Sequence, residues 1–83
     1  MNIPTLDLHG LRHDEVSNEV ARFIETWLGK DLFIDIITGN SGTMKDKATE
    51  VIRQYQLEYM TGLPYFAGKI RVVLYEYDNE GGW

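Results

Sequence analysis

The chain has 83 residues, 43% of them hydrophobic, a balance that suits one globular domain and excludes a disordered chain. It has no cysteine, which removes disulfides, thiolate metal sites and cysteine nucleophiles together and leaves packing alone to hold the fold. The formal net charge of −5 speaks against broad electrostatic binding of nucleic acid and leaves room for a local positive patch, for which Arg12, His13, Lys45 and Lys47 are the available residues.

Residues 3–9 read as a short strand, with Leu6 and Leu8 on one face and Asp7 and His9 on the other. Gly10 ends it. Asp14 and Glu15 suit the first turn of a helix, where negative charge meets the positive end of the dipole. Val16, Val20, Phe23, Ile24, Trp27 and Leu28 then form one helical stripe. Trp27 falls on that stripe and is expected in the core. Gly29 is placed as the C-terminal cap.

Residues 32–37 form a second strand, nearly all apolar but for Asp35; such a strand is usually covered on both faces. Thr38, Gly39, Asn40, Ser41 and Gly42 make a loop with turn chemistry throughout. Thr43 is expected as the next N-cap, with Asp46 three residues on. Met44, Ala48, Val51, Ile52 and Tyr55 give a second helical stripe. Residues 57–60 make a weak third strand, residues 61–64 a turn, and Gly68 a bend. Residues 69–77 make the last strand, on which Arg71, Tyr75 and Tyr77 share a face; such residues more often pack under a helix or close a sheet edge, and stacking of bases is the alternative use of that spacing.

The expected order is βαβαββ, an α/β chain folded as a two-layer α+β sandwich with a mixed four-stranded sheet and two helices. One domain is expected over residues 1–78, with 79–83 a flexible tail. No apolar run approaches the ~20 residues of a membrane span. The start lacks the basic-then-apolar pattern of a signal peptide, so the expected location is the cytoplasm. If the first two strands are parallel neighbours, His9 and Thr38 emerge at one edge of the sheet, where α/β folds generally bind ligands.

Two motifs at that edge carry candidate chemistry. Asp7 and His9 lie about 6.5 Å apart along one strand face. A carboxylate there can fix the imidazole's tautomer and raise its basicity for general acid–base work. An Asp at a strand end equally serves to cap a neighbouring backbone group. The second motif, Thr38-Gly39-Asn40-Ser41-Gly42, lets a phosphate approach the backbone closely. The helix after it supplies free N–H groups and a positive dipole end, and Lys45 adds charge. It is not a P-loop, because the Gly-Lys-Ser/Thr ending is missing; its plainer reading is a capped connection between strand and helix.

Taken together, these residues resemble the Smr family, the small MutS-related domains. Leu6-Asp7-Leu8-His9-Gly10 reproduces that family's first signature. An apolar strand running into Thr38-Gly39 resembles its second, although Ser41 stands where the next Gly is expected and Gly42 follows. The resemblance implies a fold like the C-terminal domain of translation initiation factor three. It also implies binding of RNA or DNA and endonuclease activity. By that resemblance Asp7 and His9 would be catalytic and Thr38 and Gly39 would form the substrate-binding loop; Gly10, Arg12, Asn40, Ser41, Gly42 and Lys45, beside these motifs, complete the expected substrate site. No cofactor is demanded, although a divalent metal would be compatible. A non-catalytic module that binds nucleic acid or a protein partner is the other expectation.

Overall fold

The computed structural model describes residues 2–62 and 64–74. In chain order these form β1 (Thr5–Asp7), α1 (His13–Trp27), β2 (Phe33–Ile37), α2 (Gly42–Gln54), β3 (Glu58–Gly62) and β4 (Phe66–Val73). The order is the expected βαβαββ. One mixed sheet runs β1-β2-β4-β3, with β1 parallel to β2 and both β2 and β3 antiparallel to β4.

Both helices lie on one face of that sheet. Val16, Val20 and Ile24 of α1 meet Met44, Ala48, Val51 and Ile52 of α2 in a single cluster with Leu8, Ile34, Ile36, Ile70 and Val72. Residues such as Ile24, Ile34 and Ile36 are fully buried, and each contributes about 1.5–3 kcal/mol by leaving water. Trp27 and Phe23 pack against this core, their rings edge to face at 6.4 Å. Tyr55, at the end of α2, donates its hydroxyl hydrogen to Glu25 of α1; that bond, with some burial, raises the Tyr55 pKa.

Among the described residues, helices cover β2 on one face, not two. The even residues Ile34 and Ile36 meet the helices, while Phe33, Asp35 and Ile37 face away. The strand is nevertheless central in the sheet, so its apolar run reflects two strand neighbours and one helical layer.

Four boundaries differ from expectation. β1 spans only Thr5–Asp7 and not residues 3–9, and its C-terminal end gives way to the turn closed by the Leu11 N–H and the Leu8 carbonyl, which takes His9 off the strand. Ser41, not Thr43, caps α2: its backbone is extended, its hydroxyl accepts the Met44 N–H at 3.2 Å, and Lys45 N–H already reaches its carbonyl at 3.1 Å. Thr43 is therefore inside the helix. β4 starts at Phe66, because Gly68 continues the strand with φ +68° instead of bending the chain away. β3 runs on to Gly62 through an irregularity between Thr61 and Gly62, where the Thr61 hydroxyl bonds the Lys69 carbonyl at 2.8 Å. Gly29, with φ +84°, ends α1 as expected. The expected end of the last strand, the tail, and the stacking residues Tyr75 and Tyr77 lie outside the described residues. Among the described residues no helix is long and apolar enough to cross a membrane.

Candidate functional site

The parallel register pairs Leu6 with Ile36 and Asp7 with Ile37, and the Leu8 N–H then reaches the Ile37 carbonyl at 2.9 Å. The two strands thus leave the sheet side by side. His9-Gly10 and Thr38-Gly39 emerge at the same edge.

On the first strand the chain turns at once. The Leu11 N–H bonds the Leu8 carbonyl at 3.0 Å, and Gly10 has φ +87°. A four-residue turn with positive φ at its third position has the type II pattern, which favours Gly there. Gly10 therefore makes the turn, and His9 stands exposed at its tip. The Asp7 carboxylate accepts the His9 backbone N–H at 2.9 Å. It fixes the main chain under His9 and not the imidazole ring. Arg12 is exposed; its N–H donates to Glu15 at 3.2 Å, and its guanidinium lies 3.5 Å from Asp14.

On the second strand the loop is tied down from β4. Thr38 and Gly39 both donate their N–H groups to the Gly68 carbonyl, at 2.9 and 3.0 Å. The buried Thr38 hydroxyl bonds the Gly39 carbonyl at 3.2 Å. Gly68 and Gly39 approach so closely that a Cβ on Gly68 would meet the Gly39 oxygen at 3.3 Å. Thr38 and Gly39 thus build the loop, and their N–H groups are already taken. The open donors come later. As the first residues of α2, Gly42 and Thr43 have no intrahelical acceptor for their N–H groups, and none of the described residues outside the helix accepts them. Asn40 and Gly42 are exposed, and Ser41 and Lys45 half-buried, around this helix end.

The expected site residues are therefore brought to one edge but divide by role. Asp7, Gly10, Thr38, Gly39 and Ser41 hold backbone. His9, Asn40, Gly42 and Lys45 leave groups facing solvent or near it. Among the described residues no three His, Asp or Glu side chains converge as a metal would need.

Sequence reasoning missed a second polar cluster. On the helix-free face, Arg71 grips Asp35 through two bonds of 2.8 and 3.0 Å, and Lys69 adds a third at 3.3 Å. Burial alone would raise the Asp35 carboxyl, but the bonds from Arg71 and Lys69 outweigh it and hold its pKa below the usual 3.8. The same bond raises the Arg71 pKa. Both cations lie over the Phe66 ring, Arg71 at 5.3 Å and Lys69 at 5.9 Å from its centre. The available signal was a lone acid inside an apolar strand, with two cations at spacing two on another.

No family model, no curated protein and no solved structure matches this chain.

Proposed function

We propose that this chain is a nucleic-acid-binding domain of the Smr type that cleaves phosphodiester bonds in RNA or DNA at the shared edge of β1 and β2. His9 is the acid–base group, moving a proton to or from the attacking or leaving oxygen. The Gly42 and Thr43 N–H groups hold the phosphate at the α2 N-terminus, where the helix dipole and Lys45 favour developing negative charge. Asn40 and Arg12 reach the flanking backbone. Asp7, Gly10, Thr38, Gly39 and Ser41 position these groups without touching the reacting atoms. The reading requires no resident cofactor, and its expected working compartment is the cytoplasm.

The observation that supports this reading is the parallel register, which brings the exposed His9 turn and the loop leading into α2 out at the same edge of the sheet. The resemblance of residues 6–10 and 38–39 to the Smr signatures supplies the substrate class. One observation favours a second reading, a module that binds the same backbone without cutting it: the Asp7 carboxylate engages the His9 main chain and not its ring.

Cleavage of labelled single-stranded RNA, structured RNA and branched DNA separates the two. Wild type and His9→Ala are compared, each with and without magnesium. Because His9 is exposed, the variant keeps its thermal midpoint. Cutting by wild type alone supports catalysis at His9. Salt-sensitive binding without cutting by either supports the module. Equal cutting by both rejects His9 as the acid–base group.

A further inference from the structure

The pairing of β4 with β3 breaks beside the proposed site. Thr61 of β3 pairs with Ile70, and the next residue, Gly62, pairs with Phe66. Ala67, Gly68 and Lys69 therefore bulge from β4 with no partner on β3 among the described residues. Toward β2 the contacts continue. Lys69 stands opposite Ile37, and the Gly68 carbonyl takes the N–H groups of Thr38 and Gly39. The bulge is thus the part of β4 that reaches the loop before α2. It lies so close that a Cβ on Gly68 would sit within 3.5 Å of the Gly39 oxygen, Cα and carbonyl carbon. Extra residues in a strand bend it and re-aim what it carries, and the ladder does not hold them. Two side chains fasten this bulge. The Lys69 ammonium reaches Asp35 at 3.3 Å, on a long side chain that is 30% exposed. The Thr61 hydroxyl donates to the Lys69 carbonyl at 2.8 Å, part-buried and directly across the break in the ladder. Its β-branched side chain has little rotamer freedom, so this is the stiffer of the two ties.

We propose that Thr61 is a positioning residue of the β1/β2 edge. By holding the Lys69 carbonyl it fixes Gly68, and through the Gly68 carbonyl it fixes the Thr38–Gly39 loop that leads into the N-terminus of α2. The inference rests on the proposed function and adds to its site a residue of β3 that touches neither motif. Thr61 acts through main chain alone, from its hydroxyl to the bulge and from the bulge to the loop.

Thr61→Val, which keeps the branching and loses the hydroxyl, is compared with wild type and with Thr61→Ser, which keeps the hydroxyl. Two quantities are read on folded protein, with circular dichroism as the check: amide hydrogen exchange by NMR, and binding of the labelled single-stranded RNA and branched DNA at low salt. In Thr61→Val the Thr38 and Gly39 amides should exchange about 3- to 10-fold faster, the weight of one neutral hydrogen bond, while the Leu8 amide on β1 keeps its rate. Binding should weaken by about the same factor, a change that a role in stability alone would not produce. Thr61→Ser should restore both. If the Thr38 and Gly39 amides exchange as in wild type, Thr61 does not hold the loop and the inference is wrong. It is also wrong if those amides open but binding is unchanged, or if serine weakens binding as much as valine does. In each of those cases binding by wild type leaves the proposed function standing. If wild type binds neither nucleic acid, the proposed function fails and the inference fails with it.

Discussion

On the helix-covered side of the sheet, Ile34, Ile36, Ile70 and Val72 are completely buried among apolar neighbours. On the other side, one residue along each strand, Asp35 is nearly as buried but is held by Arg71 and Lys69. The first side is stabilised by area removed from water, which has no direction. The second depends on geometry, because a buried carboxylate is tolerated only while its partners stay in place. The same two strands therefore tolerate apolar change of similar volume on one side and very little change of any kind at one position on the other.

The largest effect should come from the apolar side. Ile36→Ala, at a fully buried position, should destabilise by about 3–4 kcal/mol, read from urea unfolding, because surrounding side chains only partly refill the space. Ile36→Val should cost about 1 kcal/mol. If both variants unfold at the wild-type midpoint, that side is not the stabilising core.

Next comes the polar side. Asp35→Ala leaves two partly exposed cations without their partner and should cost about 2–3 kcal/mol, below the 3–5 of a fully buried pair. The effect depends on pH with a definite sign. The Asp35 pKa is lower in the folded chain than its usual 3.8, so its contribution is complete above the unfolded value and is lost as pH falls through the folded one. The gap between wild type and Asp35→Asn should therefore narrow in acid. A gap constant from neutral pH down through the carboxylate range would mean that the ionised form is not what stabilises.

Smaller effects belong to the edge that joins the two sides. Gly68→Ala places a Cβ 3.3 Å from the Gly39 carbonyl at φ +68°, and about 1–2 kcal/mol of stability should be lost. Smallest, Ser41→Ala should cost about 1 kcal/mol by removing the cap of α2, and Thr43→Ala less. A larger loss from Thr43→Ala than from Ser41→Ala would return the cap to Thr43.

How far these features were legible follows from how local they are. The stripes from Val16 to Leu28 and from Met44 to Tyr55 announced both helices, because helical period is written in neighbouring residues. The meeting of His9 and Thr38 at one edge followed from the parallel pairing expected of a strand–helix–strand unit. The cap was misplaced by two residues because Ser41 and Thr43 carry the same chemistry, and only the backbone at Ser41 decides between them. Asp35 was visible only as an interruption. Its partners lie 34 and 36 residues away, and no local pattern joins them. The division of the candidate site was hidden for a similar reason. The carbonyl that takes the Thr38 and Gly39 donors belongs to Gly68, on a strand formed much later in the chain.

The three residues of β1 have one consequence for motion. Among the described residues that strand lies at the margin of the sheet and pairs with β2 alone, while β2, β4 and β3 are joined by longer antiparallel ladders. Local opening draws on the least anchored pieces first. The amide hydrogen of Leu8 should therefore exchange with solvent deuterium sooner than that of Ile70, well before global unfolding. His9 rides on the piece that opens, so the reach between the imidazole and the α2 N-terminus is a fluctuating quantity, set by how often a short ribbon lifts from its neighbour.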